Sequence, residues 1–136
     1  MSDFKLASVK ILKSEGGYSY DPDDSGGETY KGISRKFWPQ WSGWKVIDST
    51  KNQSDWKNKL NSISGLNDAV LLFYKINFWD KIGGDSIKNQ DVANLLVDSA
   101  VNEGIKSAVK RAEEIVGLPQ TGILSLLLTN KLNSFA

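Results

Sequence analysis

Neither cysteine nor histidine occurs among the 136 residues. The first absence removes disulfides, thiolate nucleophiles and cysteine-ligated zinc. The second removes the commonest general base, the Ser-His-Asp triad and most catalytic zinc sites. An excess of charge of either sign is also lacking. The net charge is +1, from 17 Lys and Arg against 16 Asp and Glu, so no strong field draws the chain to nucleic acid or to an anionic membrane. No basic cluster interleaves with aromatics as a nucleic-acid surface would. No apolar run reaches the length of a membrane span. The opening MSDFKLASVKILK is amphipathic and has no small-residue cleavage site, so it does not read as a secretory signal. Acid–base chemistry is thus left mainly to Asp and Glu, with Lys and Tyr as lesser candidates.

What remains reads as one ordinary globular domain. Phe4, Ala7, Ile11 and Leu12 share one face of a helix over 3–14, with Ser2 or Asp3 as cap and Gly16-Gly17 as stop. The alternation in ETYKGI predicts a short hairpin. A brief helix is expected from Ser34 to Trp38, and residues 40–65 read as irregular, with a short helix around 53–61. Further helices are expected over 67–79, capped by Asn67 or Asp68, and from Asp91 to about 103, with Val92, Leu95, Leu96 and Ser99 facing inward. Gly104 breaks that helix. Ile105, Ala108, Val109, Ala112, Ile115 and Val116 follow the helical template before Gly117 and Pro119 close it, and 122–134 reads as a last helix. Each of the five tryptophans reads either as core or as a sugar-stacking surface.

The densest carboxylates and the most flexible residues coincide in KSEGGYSYDPDDSGGETYKGIS, residues 13–34. Glu15 falls where a helix should end. There the helix dipole disfavours an ionised carboxyl, and partial burial would raise its pKa further. A carboxylic acid kept protonated near neutral pH is what glycoside cleavage requires of its general acid. The bland alternative is a solvated helix-end glutamate. Asp21, Asp23 and Asp24 follow within nine residues, and any of them could supply the second carboxylate of a glycosidase. The competing reading of DPDD is a turn, and at least one of these aspartates is expected to be only that. The spacing lacks the alternating ligands of a calcium loop. No cofactor and no metal are expected.

These residues resemble the opening motif of the glycoside hydrolase family 108 muramidases. The family's E-G-G-Y is met by Glu15 to Tyr18, its Asp-rich turn by Asp21 to Asp24, and its G-G-x-T-x-x-G-I by Gly26 to Ile33. Glu15-x8-Asp24-x4-Thr29 is also similar to the spacing of phage-type lysozymes, short by one at the threonine. FYKINFWDKIGGDSI is similar to the family's Tyr-to-Trp helix end, with Trp79 in the tryptophan place. The stretch from Asp91 to Ser125 resembles the small peptidoglycan-binding region fused to such enzymes, its D-x-x-x-N-x-G met by Asp98, Asn102 and Gly104.

The resemblance implies a mainly α, lysozyme-like fold with a small β-hairpin beside an active-site cleft. It implies a catalytic region over 1–90 and a helical peptidoglycan-binding region over 91–136, packed together as one compact unit. Glu15 would protonate the leaving oxygen, and Asp24 with Thr29 would hold the attacking water or stabilise positive charge. Tyr18, Tyr30, Asp21, Trp79, Asp98 and Asn102 would bind the glycan strand of peptidoglycan. The family implies cleavage of the β-1,4 bond between N-acetylmuramic acid and N-acetylglucosamine, after holin-type or specialised export to the cell wall, as in a prophage endolysin. Retaining and inverting chemistry both stay open, as does oligomeric state. A lytic transglycosylase, a chitinase, a non-catalytic wall-binding module and a purely structural helical domain are the competing readings. Two departures stand out. PQTGILS keeps one glycine where the family has a two-glycine turn, and NKLNSFA ends the sequence before the closing helix expected of the family, as in a naturally short or a truncated form.

Overall fold

The computed structural model describes residues 1–14, 16–23 and 27–134; Glu15 and Asp24 lie outside the described residues. The chain packs as two compact units. One is Leu12–Phe73, and the other joins Met1–Ile11 to the chain from Tyr74 onward.

Helix α1 (Phe4–Ser14) runs through the end of Met1–Ile11 and the start of the other unit. It begins as the sequence predicts, with the Asp3 carboxylate accepting from the Lys5 amide at 2.9 Å. Ala7 and Ile11 are buried on the expected face. The expected hairpin is wider by one strand. β1 (Tyr18–Tyr20), β2 (Glu28–Tyr30) and β3 (Ile33–Ser34) form an antiparallel sheet in that order. Tyr30 pairs with Ile33 across a two-residue turn in which Lys31 (φ +46°) and Gly32 (φ +81°) are both left-handed. That backbone twist matches the twist of the strands it joins.

Between Ser34 and Trp38 only a single turn forms, closed by the Trp38 amide donating to the Ser34 carbonyl at 2.8 Å. Residues 40–65 are more ordered than their polarity suggests. Helix α2 (Gly43–Thr50) lies there, as does α3 (Trp56–Lys59), which runs on as a tight turn over Leu60–Ser62. The sequence GWKVIDST is poor in strong helix formers. It is helical because Trp44 and Ile47, three residues apart, are both buried. Trp41 and Trp44 meet edge to face at 5.3 Å, and Trp41 also lies edge-on to Phe73 of α4 (Ser64–Tyr74) at 6.2 Å. Helix α4 starts before Asn67, whose side chain instead donates to the Asn61 carbonyl at 2.9 Å. It runs on as a wider turn over Lys75–Trp79.

In the second unit the N-terminus is tied down. The Ser2 amide donates to the Ile87 carbonyl at 2.9 Å, and the Asp3 amide donates to the Gln90 side chain at 2.7 Å. Helix α5 (Gln90–Glu103) is capped by Asn89 rather than Asp91, its side chain accepting from the Val92 amide at 3.1 Å. Its buried stripe is Ala93, Leu96, Val97 and Ala100, one residue round from the expected stripe, and Leu95 is 72% exposed. Helix α6 (Ile105–Ile115) buries Ala108, Val109 and Ala112 as expected, while Ile115 faces outward. Helix α7 (Leu126–Asn133) is capped by Ser125.

Gly104 joins α5 to α6 at φ +92°, ψ 154°, a region open essentially to glycine alone. A Cβ there would meet no neighbouring atom, so only the backbone is at stake. Gly104→Ala is expected to cost about 1–3 kcal/mol, read as a lowered denaturation midpoint at unchanged m-value. A neutral result would mean that the α5–α6 corner takes another conformation.

Candidate active site

The three-stranded sheet carries the described part of the motif. Thr29 pairs with Ser19 on one side and Ser34 on the other, while Tyr18 pairs with Tyr30 and Tyr20 with Glu28. Because side chains alternate across a strand, Thr29 points to one face of the sheet and Glu28, Tyr30, Tyr18 and Tyr20 to the other. Thr29 is half-buried. Tyr30 is buried, and its hydroxyl finds no hydrogen-bond partner among the described residues. That burial raises its pKa.

On the tyrosine face lies a cluster that no sequence motif announced. The Glu28 carboxylate is only 8% exposed. It accepts a hydrogen bond from the Tyr18 hydroxyl, an ion pair from Lys51 Nζ and a bond of 2.9 Å from Arg35 Nη1. Arg35 also grips Asp48 through two bonds of 2.8 and 2.7 Å, and Lys51 reaches the same Asp48 at 3.3 Å. The Tyr18 ring meets Trp56 edge to face at 4.7 Å, and the Lys57 ammonium stands 5.7 Å from each of these two rings. Burial first, and the Glu28 carboxylate second, push the Tyr18 phenol up to about 12. Burial works against the charge on Glu28, but the bonds from Lys51, Tyr18 and Arg35 outweigh it and hold its pKa below the usual carboxylate range.

Arg35 above all holds the Asp48 carboxyl down to about 2, against an ordinary 3.8. A depressed carboxylate stabilises the fold fully above its unfolded pKa, and that contribution is lost as pH falls toward the folded value. Asp48→Asn is therefore expected to lower the melting temperature at pH 7. The gap to wild type should narrow as pH falls from about 4 toward 2. A gap that is constant with pH would rule out the ion pair as its source.

The other candidate residues are placed as follows. The Asp21 carboxylate accepts from the Asp23 amide at 2.9 Å, the turn that DPDD suggests, and both side chains are exposed. Trp79, in the other unit, is fully buried. Its indole donates to Asp85 at 2.8 Å and its ring lies 5.7 Å from Phe4. Asp98 and Asn102, one turn apart on α5, are exposed along a groove of about 540 Å³ between α5 and α6, with Leu95, Arg111 and Ile115 among its walls. The sheet thus brings Tyr18 and Tyr30 together on one face and sends Thr29 to the other, and α5 brings Asp98 and Asn102 together. Among the described residues no group of three or more Asp or Glu side chains could hold a metal ion, and no helix is long and apolar enough to cross a membrane.

Residues 9–104 match glycosyl hydrolase 108, more than half of the chain and the whole of the Glu15-to-Ile33 motif. The chain belongs to the glycosyl hydrolase 108 family. It is a glycoside hydrolase, and its family acts on peptidoglycan. The solved structures that match include that of Brucella abortus SagA, at a TM-score of 0.64 and 24% identity, covering 98% of this chain and 70% of that one. At that identity the likeness speaks for the fold, which is mainly helical and lysozyme-like with a small antiparallel sheet. Comparison with curated proteins gave no match.

The motif read in the sequence singles out Glu15, Tyr18 and Thr29 but leaves Glu28 as an arbitrary residue. Arg35, Asp48, Lys51 and Trp56 fall outside it altogether. One signal could have found the cluster. In E-T-Y, an acid shares a strand face with a tyrosine that must be buried, and a buried acid requires a cation.

Proposed function

We propose that the protein is an N-acetylmuramidase that hydrolyses the β-1,4 bond between N-acetylmuramic acid and N-acetylglucosamine in peptidoglycan. Glu15 is its general acid. The observation that carries this reading is the family match across the Glu15 motif. Glu15 donates its proton to the glycosidic oxygen as the bond to C1 of N-acetylmuramic acid breaks, and water adds at C1 to leave a free reducing end. Asp24, with Thr29 from the sheet, holds that water or stabilises the charge on the sugar ring. Tyr18 lines the sugar site, and Asp98 and Asn102 on α5 bind glycan within a wall-binding region over 91–136. The enzyme reaches the wall through holin-type or specialised release.

Digestion of purified walls with mass spectrometry of the fragments tests this. Free reducing N-acetylmuramic acid ends are expected. Anhydro ends would replace the reading with a lytic transglycosylase, which needs no water-holding aspartate. Intact walls that carry bound protein would replace it with a binding module.

A further inference from the structure

The Glu28 cluster is more elaborate than a surface ion pair. One carboxylate receives a phenol from β1, a guanidinium from the segment after β3 and an ammonium from the C-cap of α2. The backbone of the same residues is joined as well, since the Arg35 amide donates to the Glu28 carbonyl at 2.9 Å. All five charged or phenolic groups, Tyr18, Glu28, Arg35, Asp48 and Lys51, lie within the Leu12–Phe73 unit. Exposed pairs hold little, because long side chains must be ordered in water. Here the acid is buried and the cations are about two-thirds buried, at 34–35% exposure, so their geometry is held.

The consequence concerns β2. Glu28 and Thr29 are adjacent, and their side chains leave opposite faces of a three-residue strand. A rotation of β2 that loosened Glu28 would swing Thr29 by the same angle. Tyr18 is three residues from Glu15 along the chain, and its ring is held at both ends. Glu28 takes the hydroxyl, and Trp56 abuts the ring at 4.7 Å.

We propose that Glu28 is a positioning residue for the hydrolysis. It clamps the β1–β2 hairpin to α2 and Arg35, and so fixes the Tyr18 ring and the face to which Thr29 points. This rests on the muramidase reading given above. Glu28 touches no substrate; it acts through its two neighbours. A displacement of reacting groups by about an ångström is enough to cost about 100-fold in rate.

Glu28→Gln tests the clamp. The amide keeps the shape and can still accept from Tyr18. Its NH2 must then face Lys51 or Arg35, donor against donor. Arg35 keeps its two hydrogen bonds to Asp48, so the variant is expected to fold. We expect kcat to fall about 10- to 100-fold with KM changed less than about threefold, and Glu28→Asp to recover part of the loss. The Tyr18 phenol provides an independent readout by NMR of 13C-labelled tyrosine, assigned through Tyr18→Phe. In wild type it should stay protonated well past the ordinary tyrosine range, and in Glu28→Gln it should titrate lower. Wild-type kcat alongside a lowered Tyr18 titration would overturn the proposal, since the clamp would be open and the chemistry intact. So would an activity loss that tracks the melting temperature and disappears on cooling, which would make Glu28 a stabilising residue only. An unchanged Tyr18 titration would show that no clamp exists. Wild-type protein inert on walls would sink the muramidase reading itself, and the clamp's role with it, whatever the titration showed.

Discussion

Glu15→Gln is expected to lower wall digestion by about 10²- to 10⁴-fold, the range a general acid supplies. Glutamine keeps the size of the side chain and its capacity to hydrogen-bond, but it has no proton to give the leaving oxygen. The loss should therefore fall on kcat, and sedimentation with purified walls should show binding within a few-fold of wild type. The alkaline limb of the wild-type pH profile of kcat/KM should report the pKa of the same group. A variant that retained a tenth or more of wild-type activity would remove Glu15 from the role of acid. One that lost binding as completely as activity would make it a substrate contact instead.

Trp79→Ala carries the largest expected effect on stability. Its indole is fully buried, packs beside Phe4 and has its one donor taken by Asp85. A Cβ added at Gly84 would fall inside the ring, so the backbone there is in direct contact with the indole. Truncating such a residue to alanine costs about 3–5 kcal/mol, a large share of the roughly 5–15 kcal/mol that hold a domain together. The melting temperature should fall by about 10–20 °C for a chain of this size, and Trp79→Phe should lose less. Activity and stability should fall together. If the indole instead bound sugar, as the family resemblance implies, activity would fall with the melting temperature little changed, and the comparison of the two variants separates these cases.

The alanine stripe of α6 was legible because a helix writes its partner face into local spacing, and Ala108, Val109 and Ala112 needed nothing distant to be recognised. On α5 the same reading missed by one residue. Asn89 rather than Asp91 is the cap, and QDVANLLVDSAVNE offers two adjacent apolar stripes. The one built from Ala93, Leu96, Val97 and Ala100 is buried, and Val92, Leu95 and Ser99 are left along the groove. Helix α2 was missed for the opposite reason. Its residues have little intrinsic preference for helix, and it exists because Trp44 and Ile47 find a core.

The family was legible as well, because the Glu15-to-Ile33 spacing lies within the stretch that matches glycosyl hydrolase 108. The lack of histidine and cysteine leaves acid–base work mainly to carboxylates, and the crowding of Glu15, Asp21, Asp23 and Asp24 with glycines made these residues the candidates for it. These are statements about residue type and short spacing, and the sequence determines both outright. The tertiary structure decided which groups meet. It made Asp21 a turn, buried Trp79 and Tyr30, and turned Thr29 away from the tyrosines beside it. It also gathered Glu28, Arg35, Asp48 and Lys51 from more than twenty residues of chain into one ion cluster. Burial and charge pairing depend on what packs against a residue, and those partners lie at separations that no local pattern records.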